Sequence, residues 1–189
     1  MSLLSTIVFA LVLGLGTAFL LHSSNFTSGV WPPQSFKSAL EFAPPVFDIT
    51  KSGADLAPGY IFLTLVSPDG SVQSAAIMMT DTGDLIWNTP TGNYTDLETQ
   101  SLDSQTVLTY WTDGAVGANG YGHISILNES FSKIYRVCPN VVVVTAHGET
   151  FPCYADLHDN FITERASILI TISNITTADL SSVNEPKNG

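Results

Sequence analysis

The sequence predicts an all-β chain with one apolar helix at its N-terminus, and three observations carry that expectation. Past residue 22, no stretch repeats apolar residues at the i, i+3, i+4, i+7 spacing of a packed helix. Instead, short runs rich in Val, Ile, Thr, Tyr and Trp are separated by clusters of Gly, Asp, Asn and Pro. Residues 3–21 stand apart: they carry no charge at all.

As a helix, residues 3–21 would span roughly 28 Å, about the thickness of a bilayer core. Two readings of residues 1–22 stay open, a signal peptide that is removed and a signal anchor that stays. No Lys or Arg precedes Leu3, and the small-residue stretch Gly16-Thr17-Ala18 lies inside the apolar run. Both readings send the chain into the secretory route, to be secreted or anchored to the membrane facing the lumen or exterior.

Residues 23–50 read as an extended Pro- and Ser-containing arm, because Pro32-Pro33 and Pro44-Pro45 block helix and central strand alike. Strands are then expected at residues 59–66, 74–80, 84–88, 97–101, 106–111, 121–128, 133–137, 140–146, 161–163 and 167–173. Residues 51–178 form the body of the protein, and residues 179–189 read as a flexible polar tail. Asp81-Thr82-Gly83-Asp84-Leu85-Ile86-Trp87 is echoed 47 residues later by Asn128-Glu129-Ser130-Phe131-Ser132-Lys133-Ile134-Tyr135, a polar turn leading into an apolar strand with an aromatic end. Such a period fits propeller blades, and hairpin repeats of a sandwich fit it equally.

Composition narrows the function. The 189 residues hold 6 Lys and Arg against 17 Asp and Glu, a net charge of −11. The cations are scattered singly, so no nucleic acid is expected as a partner, because phosphate binding needs them clustered. Charged residues are 12% of the chain, about half the usual share, which argues against a highly charged cytosolic helical protein.

Cys138 and Cys153 are the only cysteines. In an exported chain an even count predicts a disulfide, closing a loop worth up to about 3 kcal/mol. Two thiols without further ligands make no zinc site, and neither a metal nor a cofactor is expected. Asn25, Asn93, Asn128 and Asn174 each open an Asn-x-Ser/Thr acceptor sequence for glycosylation, with Asn174 the least favoured because it ends an apolar run.

Several segments together resemble the fungal arylsulfotransferase-like (ASST) proteins. They are Leu56-Ala57-Pro58-Gly59-Tyr60-Ile61-Phe62-Leu63-Thr64, Asp81-Thr82-Gly83-Asp84-Leu85-Ile86-Trp87, Thr106-Val107-Leu108-Thr109-Tyr110-Trp111, Gly120-Tyr121-Gly122-His123-Ile124-Ser125-Ile126-Leu127-Asn128, Ala155-Asp156-Leu157-His158-Asp159 and Leu169-Ile170-Thr171. The resemblance covers residues 36–173 in order. It implies a secreted or membrane-anchored β-propeller of about six blades, whose bacterial relatives move a sulfuryl group between phenols through a histidine. Residues 51–189 have room for about three blades, so the expectation is a partial, three-blade propeller arc and the N-terminal portion of such a protein.

The chemistry such a protein needs is a nucleophile with an oriented partner, plus donors for the developing charge. His158, in Asp156-Leu157-His158-Asp159, is the leading candidate. In a strand, Asp156 at i−2 shares its face and would orient the imidazole; the competing reading is a structural hydrogen bond near a strand start. His123 reads as a solvated edge residue beside Gly122, and His147 lies between the cysteines in an exposed excursion. Tyr110 and Trp111 read first as core plugs at a strand end, and otherwise as phenol-binding rings. Arg136 and Arg165 are the only arginines, and Asn119 stands where the family often has His. The expectation is therefore an exported arylsulfotransferase-like chain that takes a phenolic or aryl sulfate ligand without completing catalysis on its own. The alternative is an active aryl sulfotransferase. No Gly-x-Ser-x-Gly, phosphate-loop or dinucleotide motif supports another chemistry.

Overall fold

The computed structural model describes residues 41–53, 57–67, 72–116, 119–145, 148–176, 179 and 181–183. The expected helix over residues 3–21, Asn25 and His147 lie outside them. A boundary between Leu97 and Glu98 divides the chain into two units. Both are built from antiparallel strands, and no closed barrel forms among the described residues. Their one helical element is a 3-10 turn at Ser181–Val183, and no helix among them is long and apolar enough to cross a membrane.

The first unit is a meander of β1 (Ile61–Leu65), β2 (Ala75–Met79) and β3 (Leu85–Asn88). β2 is buried along its whole length, as its unbroken Ala-Ala-Ile-Met-Met run dictates for a central strand. Ala75, Ile77 and Met79 alternate onto the face that meets Leu63 and Phe42, with Phe47 packed alongside. The last part of the expected arm is thus woven into this core. The β2–β3 turn closes through Gly83 N–H to Thr80 O at 3.1 Å, with Gly83 at φ 90°, a conformation that favours glycine.

The second unit holds a four-stranded sheet of β4 (Tyr94–Leu102, which crosses the boundary), β5 (Gln105–Val116), β6 (Asn119–Leu127) and β7 (Lys133–Val137), in that order. β5 runs through Tyr110 and Trp111 to pair Val116 with Asn119, so both aromatics sit mid-strand rather than at a strand end. The Thr112-Asp113-Gly114 stretch reads as a stop, yet a hairpin partner holds it extended. β6 is central and buried on both faces. Tyr121, His123 and Ser125 share one face with Tyr110 and Thr112; Gly122, Ile124 and Ile126 share the other with Trp111.

That second face packs on the hairpin of β8 (Asn160–Ile162) and β9 (Ile168–Ile170). Val107, Ile126 and Ile162 form one cluster, and Trp111, Ile124 and Ala155 another. Gln100 fastens the layers. Its Nε2 donates to Thr109 Oγ1 at 2.8 Å and Asn160 Oδ1 at 2.9 Å, while its Oε1 accepts from Ile162 N at 2.6 Å.

The strand expected at residues 140–146 does not form over its described part, 140–145. The segment lies in an excursion from the end of β7 to Ala155, closed by the Cys138–Cys153 disulfide with Cα atoms 5.4 Å apart. Pro139 immediately precedes the run and denies it a ladder donor where β7 would continue. Val142 and Val144 are instead 89% and 60% exposed.

Candidate functional site

Asp156 follows directly on Ala155, which is bridged to Gly122 of β6. Because Leu157 and His158 form a bend, strand alternation is not what pairs Asp156 with His158. The two residues meet because the carboxylate closes on its own chain, with Asp156 Oδ1 accepting from His158 N at 3.2 Å and contacting His158 Nδ1. Asp156 Oδ2 accepts from Gly120 N and from Ser173 Oγ, each at 2.9 Å. The aspartate side chain is fully buried, while the His158 side chain is 57% exposed.

Burial alone would push the Asp156 carboxyl up. The hydrogen bonds from His158, Gly120 and Ser173, with the nearby imidazole charge, outweigh it and hold the group below the ordinary aspartate range. An ionised carboxylate only accepts, so the facing Nδ1 of His158 carries the proton. Whenever the ring is neutral, its lone pair is then on Nε2. A buried anion orienting an exposed imidazole is the arrangement that prepares a nucleophile or general base.

Trp111 builds the wall behind this pair. Its indole N–H donates to Ala155 O at 2.8 Å, and its ring lies over Gly120 and Gly122. A Cβ on Gly120 would come within 2.6 Å of the Leu157 backbone N, and one on Gly122 within 2.4 Å of Thr112 O. The Gly-x-Gly spacing of residues 120 and 122 was the signal available in the sequence for this close approach. Nothing in the sequence marked Ser173. Trp111 is 1% exposed and Tyr110 is 6% exposed, on opposite faces of the sheet, so both rings are taken up by packing.

His123 is not a solvated edge residue. It is buried at the centre of β6 because its neighbours on both sides are covered too. Tyr121 Oη, both His123 ring nitrogens and Ser125 Oγ, in a row on one face, have no hydrogen-bond partner among the described residues. The Asp113 carboxylate stands 3.5 Å from His123 Nδ1, an ion-pair distance without hydrogen-bond geometry. Burial, then Arg136 and Lys133, lower the His123 pKa; Asp113 works against them. Tyr121 stacks on Phe151 of the excursion at 4.8 Å.

Arg136 lies opposite Ser125, away from the Trp111 face, and Arg165 sits in the β8–β9 turn. Neither donates to Asp156 or His158. Among the described residues no group of three or more His, Cys, Asp or Glu is placed to hold a metal. Asn128 caps the β6–β7 turn, its Oδ1 accepting from Ser130 N and Ser132 N. Asn93 immediately precedes β4, and Asn174 lies past β9, exposed.

No curated protein and no solved structure matches the chain. The family model described as arylsulfotransferase (ASST) does match it, over residues 98–189, the stretch that carries Trp111, Asp156, His158 and Ser173.

Proposed function

We propose that this chain is an arylsulfotransferase-like module that binds an aryl sulfate at His158. The observation that carries the reading is the buried Asp156 orienting an exposed His158, within the stretch that the family model matches. With Nδ1–H directed at Asp156, Nε2 faces the ligand. In transfer, Nε2 attacks sulfur, an N–S bond forms, the aryl S–O bond breaks, and the phenolate departs with a proton from solvent. A second phenol then attacks that sulfur: a new aryl S–O bond forms, the N–S bond breaks, the phenolic proton goes to solvent and the histidine is freed.

The open antiparallel sheets are read as blades of a propeller arc, and the apolar residues 3–21 as the segment that exports or anchors it. The positions of Arg136 and Arg165 favour binding without turnover by this chain alone. Sulfuryl transfer needs cations or N–H donors at the developing charge, and neither arginine stands at the pair.

Titration with a chromogenic aryl sulfate, followed through the His158 ring signals and the phenol released, tests the proposal. Saturable binding without release, lost in His158→Ala, is the expected result. Turnover abolished by His158→Ala would favour the active transferase. Binding or turnover indifferent to that substitution would overturn the site.

A further inference from the structure

We infer that Asn174 is an N-glycan attachment site whose sugar covers the exposed valine run of the disulfide-closed excursion. Three observations meet there. Asn174-Ile175-Thr176 has the acceptor pattern. Asn174 lies in exposed, non-strand chain past β9, so no ladder has to break to admit a bulky group. Finally, Asn174 sits directly against the run: its Oδ1 accepts from Val144 N at 2.7 Å, and Ile175 N donates to Val144 O at 2.9 Å.

The run needs a cover. Val141, Val142 and Val144 are all exposed, and Ile172 and Ile175 add apolar surface on the facing segment. Contiguous apolar surface of this kind invites association. The hydrogen bond from Val144 takes the amide carbonyl and leaves Nδ2 as the atom that receives the sugar. A polar oligosaccharide on Nδ2 therefore starts beside the valines. Asn128 offers the same pattern, but its Oδ1 is taken by the backbone of its own turn rather than by the run.

The modification joins C1 of the first sugar to Asn174 Nδ2. The bond from C1 to the pyrophosphate of a lipid-linked oligosaccharide breaks, and the amide proton leaves with the lipid pyrophosphate. It takes place in the secretory lumen, so the inference rests on the export reading above.

The full chain, expressed in a eukaryotic secretory host, is treated with a glycosidase that converts each occupied Asn to Asp, and its peptides are mapped. Conversion at Asn174 is the expected result. Conversion at Asn93 or Asn128 without Asn174 overturns the inference while leaving export standing. No conversion anywhere, with Cys138 and Cys153 both free to alkylation, overturns export and the inference together. Thr176→Ala removes the acceptor pattern and keeps Asn174 Oδ1 on Val144. It should lose the Asn174 glycan and gain binding of an apolar dye and self-association; unchanged dye binding overturns the covering role.

Discussion

Ala155 and Gly122 exchange both backbone hydrogen bonds, Gly122 N to Ala155 O and Ala155 N to Gly122 O, each at 2.9 Å. The register of β7 on β6 pairs Ile124 with Val137, so an unbroken β7 would set residue 139 beside Gly122. That residue is Pro139, which has no N–H to give. The chain leaves the sheet there, makes its excursion, and returns with Ala155 in the vacated place. Asp156 follows at once, so the candidate site stands on the repair of this strand.

The disulfide should matter to unit stability and to site geometry together. Cys138→Ser with Cys153→Ser frees the base of the excursion, and its cost should reach up to about 3 kcal/mol. Urea denaturation followed through Trp fluorescence, with and without reductant, measures it. An unchanged midpoint would mean that the Ala155–Gly122 bridge, with the bonds of Trp111 to Ala155 and of Gly120 and Ser173 to Asp156, holds the returning segment without the disulfide.

Glycine substitutions separate close approach from mere openness. Gly122→Ala puts a methyl 2.4 Å from Thr112 O and 2.7 Å from the Trp111 ring, whereas nothing lies within 4 Å of a Cβ on Gly59. Overpacking of that kind costs about 1–3 kcal/mol, and a backbone neighbour yields little, so the upper end is expected. Gly59→Ala should stay within about 0.5 kcal/mol. Equal melting shifts for the two variants would contradict the packing of Trp111.

Much of the strand pattern was legible because local composition and tertiary role agree. Lys133–Val137 is a short run with Ile, Tyr and Val that follows a polar turn and stops before Cys138-Pro139, and it forms β7 with those bounds. Residues 140–146 misled because four valines in a row have high β propensity, yet a strand also needs an edge to pair with, and Pro139 forfeits it. His123 misled for the opposite reason. Gly122 beside it reads as an edge position, although β6 is the central strand and is covered on both sides. The contact between Asp156 and His158 was expected from strand alternation and arises from a bend. Ser173 could not be found, since its place beside Asp156 depends on how the chain returns past β9.

Stability should fall as acid is added, first through His123. In the unfolded chain this ring takes a proton near the ordinary histidine range of about 6.5. In the fold it takes one only at lower pH, because burial and then Arg136 and Lys133 oppose the charge. Between those points the unfolded state binds more protons, so stability rises with pH there and is lost on descending. A further loss follows below the ordinary aspartate range, where Asp156 is protonated sooner in the unfolded chain than in the fold. His123→Phe should flatten the slope between about pH 7 and 5 whatever its effect on absolute stability. An unchanged slope in urea midpoints against pH would contradict the burial of His123.

Asp156→Asn should reverse the proton on His158. The wild-type carboxylate accepts at both oxygens, from Gly120 N and Ser173 Oγ on one side and from His158 N on the other. An Asn side chain must turn its NH2 towards one of these sides. The Gly120 contact is the shorter, at 2.9 Å against 3.2 Å for His158 N, so the amide oxygen should stay with Gly120 and the NH2 should face His158. A donor there forces Nδ1 to accept and moves the ring proton to Nε2. The outward lone pair is then gone, and any nucleophilic role of His158 with it. Loss of charge-assisted bonds, with the His158 N–H left facing a donor, should cost about 2–3 kcal/mol. Ser173→Ala removes one bond only; it should cost about 1–2 kcal/mol and leave the proton on Nδ1. Nitrogen-15 shifts of the His158 ring report the tautomer directly. A variant Asp156→Asn that keeps its proton on Nδ1 would show that the carboxylate does not orient this imidazole.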